Sequence, residues 1–122
     1  MKNWQAEGDN FEIEGGRKLS GSITTNFSKN GATHLFATAL INRGKTTLHN
    51  IPRIEEVNRL IEVFKSIGAK VTWIGKHSVT ITPPKTFLIS KINNRATGKI
   101  RSALMLIAPL SGRLKSFKLP HI

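Results

Sequence analysis

Ser28-Lys29-Asn30 stands immediately before an apolar pattern with helical spacing, which gives the lysine and the asparagine a defined electrostatic setting. The first turn of a helix leaves backbone N–H groups without intrahelical partners, and the aligned peptide dipoles add partial positive charge there. An anion is favoured at such an end. An ammonium at Lys29 adds a point charge to it, and the Asn30 amide can hydrogen-bond a sugar hydroxyl or a carboxylate. A lysine is otherwise expected near a helix C-terminus, where the dipole stabilises it. On these residues alone, a solvated Lys29 and a capping Asn30 remain the plain alternative.

Other chemical signals are weaker. Gly44-Lys45-Thr46-Thr47 ends like a phosphate-binding loop, but Ala39 occupies the place of the first required glycine. That stretch also leaves a helix and enters a strand, the reverse of the required order. His34, His49, His77 and His121 lack metal-ligand spacing and have few carboxylates nearby, so no metal or other cofactor is expected. The absence of cysteine removes thiolate chemistry and disulfides. Trp73 is expected to pack in its hairpin, since aromatics make up only 7% of the chain and a stacking platform for bases needs more.

Charge is the unusual property. Nineteen Lys and Arg against seven Asp and Glu give a formal +12, which concentrates anionic partners without choosing among nucleic acid, phosphorylated metabolites and a membrane surface. The basic residues are spread along the chain, which argues against a nucleic-acid tail. Met1 to Ala6 carries no apolar h-region, and the apolar run Ala103 to Leu110 falls far short of the roughly 20 residues of a membrane span. A cytoplasmic protein is the expectation.

The elements that must position these residues follow from patterning. Phe11 to Glu14 alternates, Gly15-Gly16 turns, and Leu19 to Thr25 runs on, which predicts a hairpin. Asn26 or Ser28 can cap a helix through Asn42, with Leu35, Phe36, Ala39 and Leu40 on its apolar side and Gly44 ending it. Thr46 to Asn50 is a short strand. Ile54, Val57, Leu60, Ile61, Phe64 and Ile67 mark the clearest helix, closed by Gly68. Lys70–Ile74 and Ser78–Thr82 form a hairpin around Gly75-Lys76. Thr86 to Ile92 is ambiguous between strand and loop. Ala96 to Leu110 predicts a helix with Ile100, Leu104, Ile107 and Ala108 on one side, and Leu114 to Leu119 a last strand. Helices alternating with strand pairs indicate an α/β (α+β) layer packing.

That order, with five particular stretches in it, resembles the enolpyruvyl transferase family. The stretches are Ile13 to Gly21, Ser28 to Ala32, Leu48 to Ile54, Ile67 to Val71, and Arg101-Ser102-Ala103 with Pro109-Leu110 beyond it. Lys29-Asn30 looks like the branch that acts on UDP-N-acetylglucosamine; the branch acting on 3-phosphoshikimate usually has Lys-Ser there. The resemblance implies two lobes of repeated βαβαββ units, an inside-out barrel of which only the first part is present. Residues 1–10 would be a flexible lead-in and 11–25 strands of the first lobe. Residues 26–95 would be the first unit of the second lobe, and 96–122 the truncated start of the next.

The implied reaction transfers enolpyruvyl from phosphoenolpyruvate to UDP-N-acetylglucosamine, the first committed step of peptidoglycan precursor synthesis. By resemblance Lys29 contacts phosphoenolpyruvate, Asn30 helps hold the sugar, and Arg101 contacts the nucleotide sugar. Two departures stand out. Phe27 replaces a usually small residue, and the glycine-rich loop that carries the general acid, commonly cysteine, is expected beyond Pro120 but absent from this chain. The chain alone is therefore expected to be inactive, with a complementary chain or self-association as its remaining route. A 3-phosphoshikimate-type fragment and a non-catalytic basic module for anions or nucleic acid stay open as alternatives.

Overall fold

The computed structural model describes residues 12–121. The polar lead-in at residues 1–10, Phe11 and Ile122 lie outside them. Helix α1, Lys29–Ile41, opens at Ser28, whose hydroxyl accepts from the Gly31 N–H at 3.0 Å. A Cβ on Gly31 would stand 3.1 Å from that hydroxyl, so the cap is tight as well as bonded. Strand β1, Thr46–Leu48, follows, then helix α2, Glu55–Ser66, and the hairpin strands β2, Lys70–Ile74, and β3, Ser78–Thr82. This is the helix–strand–helix–strand–strand order expected for residues 26–82.

The sheet has strand order β1-β3-β2 and is antiparallel throughout. Its register pairs Leu48 and Trp73 with Val79, and Thr46 and Val71 with Ile81. These residues therefore share the inward face, while Thr47, Thr72 and Thr80 line the outward one. Helices α1 and α2 cover the inner face. Phe36 and Phe64 meet in the core at 5.6 Å with rings tilted by 59°, and Leu40, Val57, Leu60, Ile67, Val79 and Ile81 fill in around them. On α1 the buried side is Ala32, Phe36, Ala39 and Leu40, whereas Leu35 is exposed, against expectation.

Helix α2 ends in a Schellman motif. Ala69 N–H donates to Phe64 O and Gly68 N–H to Lys65 O, with Gly68 at φ +99°. Arg53, from the loop after β1, stacks 4.2 Å over Trp73 and donates to the carbonyls of Gly75 and Lys76, tying that loop to the hairpin turn.

Three expectations are corrected and one open reading is resolved. Among the described residues the first hairpin forms no strand: Ile13, Leu19 and Ile23 are 86–92% exposed. A lone two-stranded ribbon has no face to bury and gains little from pairing. The ambiguous Thr86–Ile92 contains a 3₁₀ turn at Ile89–Lys91. The long helix expected from Ala96 is three short pieces: α3, Asn94–Thr97, a 3₁₀ segment, Arg101–Leu106, and α4, Ile107–Ser111. Asn93 caps α3 two residues earlier than expected, by accepting from Ala96 N–H. Because a 3₁₀ turn holds three residues, the buried stripe is Ile100, Ala103 and Leu106, and Leu104 and Ile107 face solvent. Finally, Leu114 to Leu119 is not a strand; Leu114, Phe117 and Leu119 instead lie irregularly against the core.

Candidate active site

Lys29 is the first residue of α1, as the capping argument required. Its ammonium is not simply solvated: it lies 2.5 Å from a carboxylate oxygen of Glu56, in the first turn of α2. The Lys29 ammonium and, secondarily, Ser102 hold the Glu56 carboxyl below its ordinary value, against a smaller upward push from burial. Ser102 belongs to the 3₁₀ segment that Arg101 opens. Its hydroxyl is buried beside Glu56 and influences it electrostatically, yet closes no hydrogen bond of ordinary geometry.

The structure joins one of the three expected site residues to two residues that sequence reasoning passed over. Lys29 and Asn30 begin α1, Glu56 crosses from α2 to Lys29, and Ser102, which acts on Glu56, follows Arg101 in the chain. Asn30 is not the cap, since Ser28 fills that role. Its carbonyl accepts from Thr33 Oγ1 at 2.9 Å and from His34 Nδ1 at 2.7 Å, which leaves the amide of its exposed side chain with no protein partner among the described residues. Arg101 is exposed and forms no ion pair with a described residue. A cavity of about 400 Å³ opens beside Glu56, lined also by Glu55, Arg59, Lys99 and Ile100.

Phe27, the bulky departure just before the cap, packs edge-on against His77 of the hairpin turn, with ring centroids 5.0 Å apart. The His77 carbonyl in turn accepts from Ile51 N–H at 2.9 Å. The ring is thereby engaged with the hairpin turn.

Elsewhere, Arg43, Lys85 and Arg113 line a polar cavity of about 470 Å³ with Pro83, Pro84 and Gly112, at the opposite end of α1. Arg113 is largely committed there. It donates to Pro84 O, Ile41 O and Asn42 O at 3.1, 3.3 and 2.6 Å and lies over the Phe87 ring at 5.2 Å. Among the described residues no group of three His, Cys, Asp or Glu side chains could hold a metal, and no helix is long and apolar enough to cross a membrane.

Comparison with known proteins bears on what this arrangement is for. The sequence pattern described as EPSP synthase (3-phosphoshikimate 1-carboxyvinyltransferase) matches residues 13–120. A UDP-N-acetylglucosamine 1-carboxyvinyltransferase of Bradyrhizobium diazoefficiens is 33% identical over 110 residues, 90% of this chain and 25% of that protein. One of the same name from Corynebacterium efficiens is 35% identical over 105 residues, 86% of this chain and 24% of its own length. The chain thus spans about a quarter of the length of the curated relatives it matches. Among solved structures, the enolpyruvyl transferase NikO from Streptomyces tendae superposes with a TM-score of 0.69 at 26% identity, covering 83% of this chain and 23% of that one.

Proposed function

Since the chain belongs to the EPSP synthase family of enolpyruvyl transferases, we propose that it supplies the phosphoenolpyruvate- and sugar-binding end of α1 to a carboxyvinyl transfer onto UDP-N-acetylglucosamine. The observation that carries this reading is the placement of Lys29 and Asn30 at the head of α1, with Glu56 crossing from α2 to the Lys29 ammonium. Phosphoenolpyruvate brings a phosphate and a carboxylate, and the nucleotide sugar a diphosphate. A helix N-terminus flanked by an aimed ammonium neutralises such charges without reorganising when they arrive.

In this role Lys29 contacts phosphoenolpyruvate, Asn30 bonds the sugar, and Arg101 takes the nucleotide sugar's charged groups. The transfer joins the sugar hydroxyl to the enolpyruvyl carbon and releases phosphate. In this reading the chain by itself binds but does not turn over. The UDP-N-acetylglucosamine branch is favoured over 3-phosphoshikimate by Asn30 and by the names of the relatives. Peptidoglycan precursor synthesis in the cytoplasm follows from that choice.

The division at residue 96 into a first unit and the start of the next belongs to the same reading. Leu35 on α1 and Leu104 and Ile107 on the segment packed beside it are exposed apolar side chains, which supports burial against a complementary chain or a second copy.

Isothermal titration of UDP-N-acetylglucosamine into the pure chain, with Arg101→Ala and Lys29→Ala beside it, tests this. Weak binding lost in Arg101→Ala is expected, with no phosphate released when phosphoenolpyruvate is added; turnover by the chain alone, or nucleotide-sugar binding unaffected by Arg101→Ala, refutes it. The second reading, a basic module for polyanions, draws on the +12 charge and on the Arg43–Lys85–Arg113 cavity. A steep fall of oligonucleotide affinity with salt, without nucleotide-sugar binding, would favour it.

A further inference from the structure

Glu56 is used differently from the other carboxylates of its helix. Glu55 and Glu62 both bind Arg59, three or four residues away on α2 itself. Glu56 instead crosses to α1, and the two partners of that bridge differ in freedom: the carboxylate side chain is 21% exposed, the lysine side chain 53%. The acid is the fixed member and the lysine the one that reaches solvent. Ser102 acts on Glu56 from the 3₁₀ segment, and its hydroxyl is buried and without a hydrogen-bond partner. A buried hydroxyl left unpaired is costly, and the Glu56 carboxylate is the acceptor its proximity supplies.

We propose that Glu56 is the positioning residue for Lys29, with Ser102 as its anchor, so that the ammonium meets phosphoenolpyruvate as an aimed donor and not as a mobile charge. This rests on the function proposed above. An ammonium carries three N–H donors. One bound to Glu56 leaves two for a ligand at the N-terminus of α1, where the first backbone N–H groups also lack intrahelical partners. A lysine held in this way has already lost its rotamer freedom before the ligand arrives. The bridge neutralises the lysine's net charge, so long-range attraction falls to the other cations, including Lys99 of the adjoining cavity and Arg101 beside Ser102. The opposite role is physically available: Glu56 could compete with the ligand and mask Lys29. The two roles predict opposite signs.

The test uses the full 122-residue chain carrying ¹⁵Nζ-labelled lysine, at fixed ionic strength, with E56Q, E56D and S102A as variants. In the unliganded protein, the Lys29 ammonium resonance is expected to be slowed in exchange and visible, lost in E56Q, weakened in S102A and partly restored in E56D. Core methyl spectra of the variants establish that each is folded. On titration with phosphoenolpyruvate, E56Q is expected to bind about tenfold more weakly than the parent, with E56D between them. An unchanged Lys29 resonance in E56Q overturns the proposal, and so does tighter binding by E56Q, which would make Glu56 a mask. Should phosphoenolpyruvate leave the Lys29 resonance unmoved in the parent while Glu56 still governs it, the assignment of phosphoenolpyruvate to Lys29 fails and the Glu56–Lys29–Ser102 arrangement stands.

Discussion

Arg113 is the residue whose removal should cost most for a half-exposed side chain. Its guanidinium collects carbonyls from the end of α1, Ile41 and Asn42, and from Pro84 after β3, while lying over Phe87. A helix C-terminus leaves its last carbonyls unpaired, and a cation there is favoured by the dipole as well. Bonds from a charged donor can reach about 1.5–3 kcal/mol each, but two of these three face solvent, so roughly 0.5–1 kcal/mol apiece is the fair allowance. The stacking adds about 0.5–1 kcal/mol. Arg113→Ala should therefore lose about 2–4 kcal/mol, a large part of the roughly 5–15 kcal/mol available to a domain. For a chain of this size that corresponds to a drop in Tm of roughly 6–20 °C. Arg113→Lys keeps the charge at the helix end but not the planar fork, and should lose about half as much. Urea melts and calorimetry of the three proteins measure this. A loss below about 0.5 kcal/mol for Arg113→Ala would show that the three carbonyls are as well served by water, and the clamp argument would fall.

Three further outcomes are expected. Gly68→Ala forces a side chain onto φ +99° and puts its Cβ 3.3 Å from Pro84 Cβ, so a loss of about 2 kcal/mol is expected in urea denaturation. Ser28→Ala removes the only side-chain cap of α1 and should cost about 1 kcal/mol, read in the same assay, while shifting the backbone amide resonance of Gly31. Glu56 has its folded pKa lowered from an ordinary 4.5, so its contribution is fully present above about pH 4.5 and is lost as pH falls through the lower folded value. The stability difference between parent and E56Q should shrink across that acidic interval; a constant difference from neutral pH down through it would refute the coupling.

Local signals were legible in the sequence and long-range ones were not. The α2 stripe from Val57 to Phe64, its Gly68 stop and the alternation of Lys70–Ile74 with Ser78–Thr82 each depend on neighbours within a few residues, and each appears where patterning put it. Lys29 at the head of α1 was legible for the same reason, since Ser28 announces the cap. Glu56 was not. An acid in the first turn of a helix is what the dipole alone favours, so nothing marked this one as the partner of a lysine 27 positions earlier. Ser102 stood inside a matched stretch, but burial without a partner is a property of three-dimensional surroundings only. The segment from Asn94 to Ser111 misled because Ile100, Leu104, Ile107 and Ala108 fit a 3.6-residue period, whereas the chain follows a three-residue period up to Leu106.

The strand order carries a consequence for how this structure is assembled and taken apart. β3 is the central strand, hydrogen-bonded to both neighbours, while β1 has three residues and, among the described residues, β3 as its only partner. The β2–β3 hairpin closes across a three-residue loop and needs nothing else to begin, a microsecond event. β1 must wait for that hairpin to exist, and must bring the whole of α2 back across the gap, which makes its docking the entropically expensive late step. Run in reverse, β1, with three paired residues against five for β2, can peel away while the hairpin stays closed. The amides that β3 shares with β2 are thus the slow-exchanging heart of the sheet, and those it shares with β1 are the seam along which the domain first comes undone.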